Sequence, residues 1–311
     1  MVLASIRWVA MGMVLCALAC SPERSSDELF APGGIGVPVI DAILTVGKPF
    51  GHIYLSETIA PDEAFTRERA GIEGAIIRIE GGGVVIPYAS FSFGRYATGA
   101  PDIVLASTTY NLTAILPDGR VLRASTTTPA RIDVREWILL DDAGTTVLQR
   151  LSTFEEHGDS VYSRPENQLV YPQNILAAVL EDQSTPGYQI GLVNLELASP
   201  LLIDADFLEE DDLDNFTRIN SSPPLNYEET LRIPWLAIYY AGRYNLRVVA
   251  LDRNWYDIVR TDPTIGSGGV GFGGEAGDSS TRPIFHVEGG IGVFGSISSD
   301  SVGFYVNPPA P

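Results

Sequence analysis

The sequence predicts a mainly β protein: an immunoglobulin-like β-sandwich followed by a second β-rich domain with one or two short helices. Three observations carry this. Three pairs of short β-type runs, each centred on turn residues, fall within about 90 residues with no amphipathic helix between them. Gly 31 and Pro 21 in a chain of 311 residues require many turns. The later part of the chain continues in short alternating runs, broken by a single helical pattern.

The first pair is Asp41 to Val46 and His52 to Glu57, linked by Gly47-Lys48-Pro49-Phe50-Gly51. The second, Ala75 to Glu80 and Val84 to Ala89, flanks Gly81-Gly82-Gly83, where the backbone is free to reverse. In the third, Tyr110 to Leu116 and Arg120 to Thr126 flank Pro117-Asp118-Gly119, a preset φ, a turn-capping carboxylate and a positive-φ residue. Further on, Ile132 to Leu140 and Thr145 to Leu151 form another pair around Asp141-Asp142-Ala143-Gly144. Gln168 to Asp182 reads equally as strand or helix, and Tyr188 to Leu197 alternates weakly as a strand. Tyr244 to Leu251 is a strong strand that runs into Asp252, a good N-cap for a helix over Arg253 to Thr261 with Trp255, Ile258 and Val259 on one face. Two alternating runs, Gly292 to Ser298 and Ser301 to Val306, end the chain.

Ahead of the strands, Met1 to Ala19 combine Arg7, the apolar run Trp8 to Ala19 and a small-residue end. This is the pattern of a signal peptide, too short in its apolar part for an ordinary spanning helix. Ala17-Leu18-Ala19-Cys20 resembles the lipobox of bacterial lipoproteins, so Cys20 is the expected site of lipid attachment. Both cysteines, Cys16 and Cys20, lie in this segment, and the remaining chain must hold together without disulfides. Residues 20–36 are polar and then rich in Pro and Gly, as a flexible tether is. The expected organisation is therefore signal peptide 1–19, tether 20–36, sandwich 37–130 and β-rich C-terminal domain 131–311. Ser21 lacks the acidic character that marks inner-membrane retention, which favours the outer membrane.

The charge balance, 20 basic against 39 acidic side chains for a net -19, excludes nucleic acid and an anionic bilayer surface as partners. Lys48 is the only lysine. The acidic run Asp204, Asp206, Glu209, Asp211 and Asp212 is dense in oxygen ligands, and calcium is weighed there against a solvated acidic loop; no glycine at the sixth position makes it an EF-hand. Two stretches match the G-x-G-x-x-G spacing, Gly266-Gly268-Gly271 and Gly290-Gly292-Gly295, but neither leads into a helix whose N-H groups would meet a pyrophosphate. His52, His157 and His286 are widely separated, no H-x-x-x-H pair exists, and no G-x-S-x-G elbow is present. These motifs point to no cofactor and no catalytic residue, and the chain is not expected to be an enzyme. Trp235, Tyr239, Tyr240, Tyr244, Trp255 and Tyr256 are expected to be mostly core, with an exposed platform for a sugar or peptide as the alternative.

Tyr244 to Tyr256 (YNLRVVALDRNWY), a Gly-rich insertion, and Val287-Glu288-Gly289-Gly290-Ile291-Gly292-Val293-Phe294-Gly295 resemble the end of a family of bacterial outer-membrane lipoproteins known as domain-of-unknown-function family 4249. Tyr110 to Thr126 (YNLTAILPDGRVLRAST) resembles its sandwich region, and the resemblance runs over roughly residues 37 to 308. It implies a lipobox, an immunoglobulin-like sandwich and a structural part for Glu288, Gly289, Gly290, Gly292, Phe294 and Gly295. It also implies an accessory or binding role beside a TonB-dependent outer-membrane receptor in uptake. The alternative is a structural or adhesive envelope protein.

Overall fold

The computed structural model describes residues 34–60, 62–153, 158–170, 174–182, 184–196, 198–202, 218–234, 237–261 and 283–308. The chain is mainly β. Its first part contains β1 (Pro38–Thr45), β2 (Ile53–Glu57), a single helical turn α1 (Arg67–Ala70), β3 (Ile76–Gly81), β4 (Val84–Ser92), β5 (Arg95–Ala97), β6 (Thr109–Ile115) and β7 (Val121–Thr127). The three expected hairpins form, with β1 on β2, β3 on β4 and β6 on β7, all antiparallel. The turn α1, which no periodicity announces, is capped by Thr66, whose Oγ1 accepts from Arg69 N at 3.3 Å.

Pairing between the hairpins gives the orders β1-β2-β5 and β4-β3-β6-β7. Strand β4 belongs to both: it pairs with β3 as far as Tyr88 and with β5 from Ala89, with a register shift between Ser90 and Ser92. Such a bulge lets one strand bend from one layer to the next. Every second side chain then meets in one core, among them Ile40, Leu44, Ile53, Leu55, Ile77, Ile79, Ile86, Tyr96, Tyr110, Leu112 and Leu122. Each fully buried Ile or Leu stabilises the fold by about 1.5–3 kcal/mol. Tyr110, at the start of β6, also accepts a hydrogen bond at its hydroxyl from Leu105 N, 2.9 Å away and five residues upstream.

The second part contains β8 (Val134–Leu140), β9 (Val147–Leu151), β10 (Gln168–Val170), β11 (Ile175–Leu180), β12 (Gly187–Asn194), β13 (Ile219–Ser221), β14 (Thr230–Pro234), β15 (Gly242–Leu251), α2 (Arg253–Thr261), β16 (Val287–Glu288) and β17 (Ile291–Asn307). The ambiguous stretch from Gln168 is thus extended chain at both described ends, β10 and β11. One sheet has the order β14-β11-β8-β9; opposite it lie β13-β12-β15-β17. Trp137, Leu139, Leu176, Leu231 and Ile233 from the first meet Ile190, Leu192, Leu246, Val248, Val302 and Phe304 from the second in a common core.

The two final runs form one strand, β17, rather than two. Its first part, Ile291 to Ile297, lies parallel to β1, and Ile297 to Val306 lies antiparallel to β15. The polar residues in its middle are explained by the linker crossing them. Ser298 Oγ accepts from Ile132 N at 2.9 Å, Asp300 Oδ2 accepts from Val134 N at 3.0 Å, and Ser296 Oγ bonds Thr126 Oγ1 at 2.8 Å. A polar stretch that resembles a turn in sequence is here the seam to which residues 126–134 are tied. Helix α2 spans the expected residues and buries Ile258 and Val259 against Val293 with Trp255 beside them.

Candidate functional site

Two buried polar clusters surround α2. At its start, Asp252 Oδ1 accepts from Trp255 N at 2.8 Å as the expected cap, and Oδ2 accepts from Thr126 Oγ1 at 2.5 Å. Asn254 Nδ2 donates to Ser125 O and to Phe294 O, both at 2.7 Å. Burial pushes the Asp252 carboxyl up from its ordinary value, with the hydrogen bonds from Thr126 and Trp255 opposing it. These bonds join β7, α2 and β17 at one point.

On the helix, the Asp257 side chain is only 3% exposed and gathers two guanidiniums and an imidazole: Arg253 Nε at 2.8 Å, Arg260 Nε at 2.9 Å and His286 Nε2 at 2.9 Å. Burial raises this carboxyl, but the hydrogen bonds from His286, Arg260 and Arg253 outweigh it and leave it below the ordinary carboxylate range. A His–Asp pair is half of a nucleophile-activating set, yet His286 meets no hydroxyl or thiol among the described residues. The cluster ties the helix to the chain entering β16. His52 lies exposed elsewhere, and His157 is outside the described residues.

The C-terminal glycine motif lies where three strands converge. Strand β16 pairs Val287 with Ala124 and the exposed Glu288 with Arg123 of β7. Gly289 has φ +81° and Gly292 φ +106°; a Cβ there would strike the carbonyl oxygens of Val121 and Ile40 respectively. A Cβ on Gly290 would strike Pro38 O, and one on Gly295 would press on Trp255 Cβ at 3.2 Å. Phe294, 1% exposed, fills the first core. The Gly290-Gly292-Gly295 spacing leads into a strand, which offers no helix terminus to a phosphate.

The exposed chemistry lies on the first sandwich. Phe65, Phe91 and Phe93 are 62%, 67% and 50% exposed. Phe65 and Phe93 border a groove of about 380 Å³ that also contains Asp41, Tyr54, Glu57 and Arg67. The Arg67 guanidinium stacks 4.0 Å over the Tyr54 ring, and Arg95 stacks 4.1 Å over Phe91. Burial raises the Asp41 carboxyl, and the nearby charge of Arg67 offsets part of that. The β4–β5 turn that carries Phe93, with Phe91 at the end of β4, is held by bonds from both sides. Phe93 sits at φ 52°, its N-H bonds Glu73 Oε1 at 2.9 Å, and Gly94 O accepts from Leu55 N at 2.8 Å. A bulky residue at positive φ is a strained choice that the surroundings must enforce.

The sequence reading missed this patch because it sought aromatics in the 235–256 segment. There Tyr239 and Tyr244 are buried, and Tyr244 stacks on Phe304 with centroids 5.5 Å apart. Tyr240 packs under Arg218, 4.1 Å from its guanidinium, and Trp235 lies outside the described residues. Strand parity held the missing signal: with Ile86 and Tyr88 inward, Phe91 falls on the outward phase of β4. Cys20, the acidic run Asp204, Asp206, Glu209, Asp211 and Asp212, and the Gly266-Gly268-Gly271 stretch also lie outside the described residues. Among those described, no group of His, Cys, Asp or Glu is arranged to hold a metal, and no helix is long and apolar enough to cross a membrane. No protein-family model and no curated protein matches this chain.

Proposed function

We propose that the chain is a lipid-anchored outer-membrane accessory protein of the family-4249 type, tethered through Cys20 and binding a TonB-dependent receptor to assist uptake. The observation that carries the binding role is the patch of exposed phenylalanines beside a charged groove, Phe93 on the β4–β5 turn, Phe91 at the end of β4 and Phe65 just ahead of α1. Large apolar side chains held out to solvent by a strained turn cost stability and are more typical of a partner surface than of a bare one. The lipobox Ala17-Leu18-Ala19-Cys20 and the Glu288 to Gly295 motif support the family and the anchor. The strand orders β1-β2-β5 and β4-β3-β6-β7, with Tyr110 bonding back to Leu105, support an immunoglobulin-like reading of the first sandwich, whose strand F carries such a tyrosine corner. Capture of the full-length protein from detergent-solubilised outer membrane tests the reading. Co-purification of a TonB-dependent receptor is expected. Capture of matrix or neighbouring-cell components without a receptor would point to the adhesive alternative.

A further inference from the structure

The outer face of the second sandwich carries a different groove, and its polar centre is an arginine that meets no acid among the described residues. Arg247 projects from the middle of β15, between Gly191 of β12 and Ser301 of β17. The cavity, about 240 Å³, is lined by Ile43, Val193, Val249, Trp255 and Ile297, with Gln189 and Ser221 adding polar groups. Gly191 pairs opposite Arg247 and lets β13 approach closely, since a Cβ there would collide with Asn220 O at 2.7 Å.

In this acidic chain, arginine heads generally find carboxylates, as Arg69 does with Glu63, Arg150 with Glu136 and Arg243 with Glu196. Arg247 does not. Its guanidinium donates to Ser299 Oγ at 3.2 Å, which takes one donor of five. Burial pushes its pKa down, and no carboxylate among the described residues pairs with it. A half-buried guanidinium in a mostly apolar trough is a one-charge receptor for a planar anion.

We propose that this groove binds a small monocarboxylate with an apolar body, its carboxylate paired to Arg247 and its body lying along Val249, Ile297 and Trp255. A phosphate would bring a second negative charge into the trough with only one guanidinium to meet it. The size of the cavity, at the lower end of ligand sites, suits a short aromatic or branched acid. The proposal stands apart from receptor binding, which uses the other sandwich.

Calorimetric titration of the purified full-length protein with phenylacetate, phenylacetamide and inorganic phosphate tests it. Phenylacetate should bind, phenylacetamide at least about tenfold more weakly, and phosphate more weakly still. Arg247→Gln should weaken phenylacetate at least about tenfold, and Val249→Phe, which fills the trough without touching the charge, should do the same. The proposal is overturned if the amide or phosphate binds as well as phenylacetate, if either folded variant keeps the wild-type affinity, or if no binding is seen up to about 1 mM. Should a variant fail to fold, the acid-against-amide comparison on the wild type decides alone.

Discussion

Tyr110 and Tyr244 show how single side chains lock this fold. Each begins a strand, each ring is buried, and each hydroxyl closes a loop upstream: Tyr110 to Leu105 N, and Tyr244 to both N and O of Tyr240. Tyr110→Phe keeps the ring and orphans one N-H, so it should cost about 0.5–1.5 kcal/mol in denaturant unfolding. Asp141 acts in a turn instead, its carboxylate accepting from the backbone of Thr146 and Thr145 and held down at about 2. A depressed carboxyl stabilises the fold above its ordinary value of 3.8, and that contribution fades as pH falls toward about 2. Side-chain carbonyl NMR should show Asp141 titrating near that lower value; titration at the ordinary value would mean the turn is open in solution. At this scale the sequence spoke clearly where one residue has one job, as with Asp252 capping α2. It was silent on Phe93, whose positive φ is enforced by Glu73 and by the Gly71–Gly94 contact, neither of which is local.

Hairpins and the helix were legible because their signals are local: turn residues between alternating runs, or a cap followed by an apolar face. The pairing of β1 with β17 was not, because parallel strands joined from opposite ends of a chain share no turn. Nor was the continuity of β17, since Ser296, Ser298 and Asp300 look like a break until the linker backbone that they bind is placed beside them. Gly292 is the element's critical point, lying against the Ile40 backbone of β1 at φ +106°. Gly292→Ala should lower stability by at least about 2 kcal/mol, because both the conformation and the Ile40 carbonyl oppose a Cβ. An unchanged melting temperature would show that β1 and β17 do not pack as closely as described.

Across the whole molecule, two cores share one strand, since Phe294 belongs to the first and Val302, Phe304 and Val306 to the second. This strand couples the sandwich carrying the phenylalanine patch to the sandwich carrying the Arg247 groove. A net charge of -19 over this frame implies self-repulsion that salt relieves, so the melting temperature should rise with ionic strength and then level off. Highest stability in the lowest salt would contradict that. Composition argued against nucleic acid but named no binding surface; the surface emerged only when parity and packing separated buried aromatics from displayed ones. The role proposed here rests on that displayed patch. The most direct measurement compares receptor captured by the wild type with that captured by a Phe65→Ser/Phe91→Ser/Phe93→Ser variant of equal melting temperature and equal membrane abundance. A loss of at least about tenfold is expected; capture undiminished by the triple substitution would contradict a binding role for the patch.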